Sequence, residues 1–467
     1  MMMLSQAAAA LGGKLIGPDV SFEAVSTDSR AIVSGDLFVA LKGENFDGGD
    51  FIEAAVKRGA VAALVEDPGE VSVANTAHPN SALCPLLLVP FSARIALGKL
   101  AAYWRSQFTI PVVAITGSNG KTSVKEMLAG ILRVASAGDD AVLATTGNFN
   151  NEIGMPLTLL KLRSSHRYAV IEMGMNHSGE IDYLTKLAQP NVAIVNNASG
   201  AHLSGLGSVE AVAKAKGEIF AGLPENGIAV INADDEFSPL WRELAKPHPV
   251  IEFALQRAVA IHGQWQVQGY GADIEVDTPQ GSFAASLQVP GAHNVCNALA
   301  ATAAAVALNI PLSAIATGLE CFAGVKGRLQ RKAALHGAVL IDDTYNANPA
   351  SLHSAIKVLM QATGKKILVL GDMGELGSDA AQLHGMIGVQ ARKLGIDKLL
   401  ALGALSANAV REFGACAQHF EQIEALLAAL DKELNADSTV LVKGSRFMKM
   451  ERVVAHCMGE GKEQKCC

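Results

Sequence analysis

Apolar and polar positions follow two periods along this chain, and the switches between them mark its elements. LFVAL at 37–41, AVAALVE at 60–66 and PLLLVP at 85–90 are short apolar runs bounded by turn residues, which predicts buried strands. FIEAAVKRG at 51–59 reads as a helix, so residues 1–90 form a small α/β domain. A helix over 91–107 leads to PVV, the start of another strand. A helical stripe of Val124, Met127, Leu128, Ile131 and Leu132 follows within one short loop. RYAVIEMG (167–174), NVAIVNN (191–197) and GIAVIN (227–232) repeat the strand signal, with SVEAVAKAKGEIF (208–220) among the intervening helices. Between 250 and 290 the period becomes two. Phe283, Ala285, Leu287 and Val289 alternate with polar or small residues and TPQG (278–281) is a turn, which predicts a small antiparallel sheet. VKGRLQ (325–330) marks a boundary, after which strand and helix patterns alternate to the end. The reading is an α/β chain of three domains. They are 1–90, a central parallel-sheet domain over 91–325, and a doubly wound Rossmann-like domain over 326–467.

Length agrees with this division, since 467 residues suggest three domains at about 150 each. Half of the residues are hydrophobic, enough for large cores. The net charge is −7 and no basic block stands out, which argues against nucleic acid as a partner. A polyanionic small substrate needs only local cations. The seven cysteines show no Cys-x-x-Cys spacing, so free thiols in a reducing cytoplasm are expected. MMMLSQAAAALGGKL lacks the basic and apolar regions of a signal peptide. The run ALAATAAAVAL (298–308) is too short and too Ala-rich to span a bilayer. Cys466 and Cys467 read as a tail end rather than a lipidation signal. A cytoplasmic monomer without membrane insertion is the expectation.

The candidate chemistry begins in AITGSNGKTSVKEML (114–128). Gly117, Ser118, Asn119 and Gly120 fall between strand and helix, where backbone N–H groups and the helix N-terminus can receive a phosphate. Lys121 would reach the β/γ-phosphates, the Thr122 hydroxyl would sit on Mg²⁺, and Ser123 follows in the first turn. The match is not a strict Walker A, because Gly117 and Gly120 enclose two residues instead of four. A Gly/Asn turn before a surface helix would carry the same residues, but Gly-Lys-Thr after a strand is a specific combination. Glu172 ends its strand at the carboxyl edge where α/β folds bind ligands, and Mg²⁺ takes one or two protein carboxylates. Asn148, Asn150 and Asn151 crowd a turn. His202 lies in a loop, and Asn294 and Asn297 open a helix, with Asn294 suited to capping. Lys216 shares the apolar stripe of Val209, Val212, Ala213 and Phe220, whereas Lys214 does not. A lysine on an inward face must snorkel, pair or be modified. Polar clusters follow strands of the last domain at DDTYNANPAS (342–351), GDMGELG (371–377) and KGSR (443–446).

Several of these segments together resemble the Mur ligases, which join an acid to an amine at the expense of ATP. The short GSNGKTS loop, TDSR followed by GDLFVALKG and DGGDF, NNEIGMPLTLL, EMGMNHSGEI, AHLSGLGSVEAVAKAKGEIF, DDTYNANPAS, LGDMGELG and VKGSRFMKME carry the likeness from about residue 25 to 455. It is strongest to the branch that adds D-alanyl-D-alanine to UDP-N-acetylmuramoyl-tripeptide. The Asp-Asn-Pro-Arg run of the branch adding the third peptide residue is absent. The resemblance implies an acyl-phosphate mechanism with ATP and two Mg²⁺. It implies that Ser29, Arg30, Lys42 and Asp47 lie near the UDP group, and Asn148 and Asn151 along the sugar-peptide. It places Asn297, Arg328 and Asp343 on the nucleotide. Asn346, Asn348, Lys443, Ser445 and Arg446 fall at the dipeptide or the closing interface. It implies that Lys216 is carbamylated and supports the second Mg²⁺ with His202, while Thr122 and Glu172 hold the first. Two alternatives stand beside it: a sister ligase such as a folylpolyglutamate synthetase, and an inactive nucleotide-binding regulator.

Overall fold

A computed structural model describes residues 1–67, 83–200 and 203–460 of the chain. Its architecture is three α/β layers in series, each built on its own sheet. The first sheet has five strands in the order Lys14–Ile16, Leu86–Val89, Ala62–Glu66, Asp36–Val39, Ala24–Ser26. All of its pairs are parallel except the first.

The central sheet has nine strands, and Val112–Thr116 lies between Tyr168–Glu172 and Val192–Val195. Side chains of successive strand residues point to opposite faces, and here both faces are covered. Val113, Ile115, Val170, Ile194 and Val230 pack with the helices Lys121–Ser136 and Ala292–Ala307. Ala114, Ile171, Ala193, Val195 and Ile231 join a second core that runs continuously into the first sheet through the helix Ala93–Ser106. That double burial explains why these strands read as uninterrupted apolar runs. The antiparallel segment of 250–290 is not a separate sheet. Val250–Ala254 is a parallel member of the central sheet, and Ile261–Gln268 pairs parallel with it. The antiparallel meander comprises Ile261–Gln268, Gly271–Thr278 and Gly281–Leu287, and it forms the outer edge of the nine strands.

The third sheet has the order Gln330–Ala333, Val339–Asp343, Ser438–Lys443, Lys365–Gly371, Lys398–Leu402, Ala417–Phe420. It is parallel apart from its first pair. Helices cover both of its faces, giving two cores. Its strands Val339–Asp343 and Ser438–Lys443 end beside the carboxyl edge of the central sheet. Asn348 Nδ2 there donates to Asn119 Oδ1 at 2.8 Å. Among the described residues, no helix is long and apolar enough to cross a membrane. The five described cysteines, Cys84, Cys296, Cys321, Cys416 and Cys457, are all free. Cys466 and Cys467 lie outside the described residues.

Candidate active site

The strand Val112–Thr116 ends at Gly117, and the helix Lys121–Ser136 starts one short loop later. Gly120 caps that helix at φ +79°, a backbone conformation that only glycine adopts without strain. The loop is held by amides. Asn197 Oδ1 accepts from the Asn119 N–H at 2.9 Å, and Asn196 and Asn197 each donate to the Asn119 carbonyl at 3.0 Å. The Ser118 N–H donates to the Asn197 carbonyl at 3.0 Å. Asn196 Nδ2 also donates to Asn297 Oδ1 at 2.9 Å, and Asn297 Nδ2 donates to Asn294 Oδ1 at 3.2 Å. Asn294 therefore orients Asn297 in addition to bonding Pro290 within the first helical turn.

Charged groups converge on this loop. Lys121 Nζ folds back onto the Gly117 carbonyl at 2.6 Å. Burial lowers the pKa of its ammonium, Glu172 opposes that shift, and Arg328 adds to it. Thr122 Oγ1 donates to Glu172 Oε2 at 2.9 Å and accepts from Arg328 Nη2 at 3.1 Å. Glu172 Oε1 accepts from Asn150 Nδ2 at 2.8 Å. Arg328 stacks on the Tyr345 ring, 4.5 Å from its centroid, and its Nε is buried without a hydrogen-bond partner. Lys216 is 1 % exposed, as the helical stripe predicted. Burial holds its pKa well below the ordinary lysine value, and Lys121 pushes it further down. No hydrogen bond to its amine is found among the described residues.

The remaining expected residues fall in three places. Asp343 and Lys443 form a buried pair at 2.5 Å, and Lys443 Nζ also donates to the Asn346 carbonyl at 2.9 Å. Ser445 Oγ bridges the Gly374 N–H and the Ala347 carbonyl. Asn346 accepts from the Ala347 N–H, and Asn348 caps the helix Pro349–Leu359 while holding Asn119. Arg446 points outward and pairs with Glu451 at 3.1 Å. In the first layer Arg30 pairs with Asp28 at 2.8 Å, and that guanidinium holds the carboxyl down at about 2. Lys42 and Asp47 pair at 3.2 Å, Asp47 also accepts from the Gly49 N–H, and Ser29 is half-buried beside Arg30. None of these four bonds to the phosphate loop. Asn148 is exposed, and Asn151 accepts from the Gly154 N–H. It is Asn150, the middle member of that turn, that reaches Glu172. His202 lies outside the described residues.

Asn196, Asn197, Tyr345 and His293 join the site without having been expected. The His293 pKa is pushed down to about 4 by burial, with Lys443 adding to the shift and Asp343 opposing it. The strand-end Asn-Asn of NVAIVNN was the one local signal for the first two.

The donor set suits a nucleoside triphosphate and Mg²⁺. Thr122 and Glu172 offer only hard oxygen ligands. The cations Lys121 and Arg328 flank them, and the orphaned Arg328 Nε is a free donor of the kind phosphate oxygens satisfy. Among the described residues no three His, Cys, Asp or Glu side chains gather tightly enough to hold a metal alone.

Comparison with known proteins covers nearly the whole chain. Residues 21–105 match a family model described as Mur ligase family, catalytic domain. Residues 115–305 match the Mur ligase middle domain, and 327–446 the Mur ligase, glutamate ligase domain. The UDP-N-acetylmuramoyl-tripeptide–D-alanyl-D-alanine ligase of Escherichia coli K12 is 43% identical, covering 97% of each chain. A crystal structure of MurF from Acinetobacter baumannii superposes with a TM-score of 0.89 at 37% identity over 98% of each chain. MurF of Thermotoga maritima, solved in complex with ADP, superposes with a TM-score of 0.80 at 26% identity over 95% of this chain and 98% of its own.

Proposed function

The chain belongs to the Mur ligase family, and from that premise we propose that it adds D-alanyl-D-alanine to UDP-N-acetylmuramoyl-tripeptide with ATP, making the pentapeptide precursor of peptidoglycan. The convergence of Lys121, the Thr122–Glu172 pair and Arg328 on one glycine loop carries this reading. The near full-length likeness to a ligase named for that substrate pair supports it.

The chemistry asked of the site follows from the reactants. A carboxylate does not acylate an amine at neutral pH, because oxide is a very poor leaving group. The tripeptide carboxylate therefore attacks the γ-phosphorus, the bond to the β-phosphate oxygen breaks, and ADP leaves. The dipeptide amine then attacks the acyl phosphate, losing a proton as phosphate departs. Both steps bring anions together, so positioning and cations dominate catalysis. Mg²⁺, when bound, neutralises phosphate charge. Thr122 and Glu172 would hold it, and Asn150 would keep the carboxylate aimed. Lys121 exchanges the Gly117 carbonyl for phosphate oxygens, and Arg328 supplies its unpaired Nε to the same anion. Lys216, whose amine is shifted toward its neutral form by burial and by Lys121, can in that form add CO₂ and release a proton. The carbamate so formed is an anion able to support a second Mg²⁺ with His202. Asn297 and Asp343 complete the nucleotide site.

In the same reading residues 1–90 bind the UDP group through Ser29, Arg30, Lys42 and Asp47, and Asn148 and Asn151 lie along the sugar-peptide. Residues 91–325 bind ATP. Residues 326–467 receive the dipeptide near Asn346, Asn348, Lys443, Ser445 and Arg446. ATP and a UDP-linked precursor meet in the cytoplasm, which is the compartment assigned. The test is phosphate release from ATP with the UDP-tripeptide, with and without D-alanyl-D-alanine. Release that needs both, with a nucleotide-pentapeptide by mass, is expected. Release with neither would mark a generic ATPase and refute the assignment.

A further inference from the structure

One buried cation in this site has no part in the chemistry above. Lys125 lies one helical turn beyond Lys121, on the same face of the helix Lys121–Ser136, and is 1 % exposed. Its amine donates to the Thr145 carbonyl at 2.5 Å and pairs with Glu126 at 2.7 Å. A buried lysine can serve only to staple a helix to a strand, and Glu126 is placed to balance its charge. What sets Lys125 apart is the residue it holds.

Thr145 is fixed on three sides. Its N–H donates to the Val170 carbonyl at 3.1 Å, its carbonyl accepts from Lys125, and its hydroxyl oxygen accepts from the Glu172 N–H at 3.0 Å. Glu172 in turn accepts from Thr122 and Asn150, one on each carboxylate oxygen. A continuous chain thus runs from Lys125 through Thr145 and the Glu172 backbone to the carboxylate. Thr145 is 1 % exposed and Glu172 3 %, so water does not replace a broken link easily. Thr145 is also the first residue after the strand Val142–Ala144, where the turn carrying Asn148, Asn150 and Asn151 begins. The Lys125 bond to its carbonyl therefore fixes the residue whose hydroxyl meets the Glu172 N–H and from which the loop bringing Asn150 to the same carboxylate departs.

We propose that Lys125 is a positioning residue for the metal-binding carboxylate, acting through the Thr145 carbonyl on Glu172 and on the Asn150 loop. Its amine is taken up by the Thr145 carbonyl and Glu126, so it acts through them. The proposal rests on the reading that Thr122 and Glu172 hold Mg²⁺. Outer partners that orient a metal ligand typically change metal affinity or activity by about 10- to 100-fold when removed.

The test uses the full-length protein with a non-hydrolysable ATP analogue, and Mn²⁺ as the probe, bound in place of Mg²⁺ and followed by electron paramagnetic resonance. Lys125→Met keeps the apolar stem and removes the donor. It is expected to weaken Mn²⁺ binding by about tenfold or more while analogue affinity without metal changes less than threefold. Lys125→Arg, which restores a charged donor, should recover most of the affinity. Should Lys125→Met fail to fold, Thr145→Val breaks the same chain at the Glu172 N–H without touching the lysine, and the same loss is expected. Parent and variants binding Mn²⁺ equally would leave Lys125 as a staple and overturn the inference alone. A parent that binds the analogue but no Mn²⁺ would overturn the metal reading and this inference together.

Discussion

Replacing Gly120 by alanine separates backbone strain from loss of the amide network that shapes the phosphate loop. At φ +79° an L-residue carries about 1–2 kcal/mol of strain. The added Cβ would stand 2.3 Å from Asn297 Oδ1 and 2.6 Å from Asn196 Nδ2, so those two groups must part. Both belong to buried asparagines, and leaving such groups unsatisfied costs about 1–3 kcal/mol. The sum is about 2–5 kcal/mol, which corresponds to about 30- to 4,000-fold in nucleotide affinity if the loop absorbs all of it. Gly179 is the internal control. It caps the helix Glu180–Ala188 at φ +88°, and its added Cβ meets nothing within 4 Å. Gly179→Ala should therefore show the strain alone, as a modest loss of thermal stability with nucleotide affinity unchanged. The assay is titration of ATP into each protein, followed by calorimetry. If Gly120→Ala bound ATP within threefold of Gly179→Ala, the amide network would not be shaping the nucleotide site, and the reasoning would fail.

Three further outcomes follow from the same geometry. Lys216 has a folded pKa below its unfolded value, so the unfolded chain binds more protons between the two values and stability rises with pH across that window. Lys216→Met should abolish turnover yet raise the melting temperature and flatten its dependence on pH, and a fall in melting temperature at neutral pH would contradict the cost of burying that amine. His293, held at about 4, should show imidazole resonances that stay neutral from pH 5.5 to 8, and a titration near the usual histidine value would refute the desolvation that lowers it. Tyr345→Ala removes the face on which Arg328 stacks and should weaken ATP binding by about 0.5–2 kcal/mol, whereas Tyr345→Phe should retain it; equal losses would mean the ring acts through its hydroxyl.

How far the site could be read before folding depended on whether its parts were local. The strand, turn and helix start that carry Lys121 and Thr122 were legible because all three lie within a dozen residues. Lys216 was legible because a lysine on an apolar helical stripe has few alternatives to burial. In the asparagine turn the pattern marked Asn148, Asn150 and Asn151 alike and the resemblance carried over Asn148 and Asn151, yet the contact to Glu172 is made by Asn150. Three adjacent amides look alike along the chain, and only the turn's path decides which one faces inward. The period-two stretch at 261–287 was visible as antiparallel. That it continues the central sheet depended on Phe253 and Ala254 finding Ile261 and His262 in parallel register.

Sequence alone therefore determined the α/β class, the buried strands, the glycine turn between strand and helix and the inward lysine, because each is written in spacing along a short stretch of chain. Tertiary structure decided the partnerships between elements. Asn196 meets Asn297 across 101 residues, Arg328 reaches Thr122 across 206, and Asn348 reaches Asn119 across 229. No local periodicity encodes such pairs. They exist because parallel sheets gather the carboxyl ends of distant strands along one edge, and because the last sheet docks its own carboxyl edge against that of the central one.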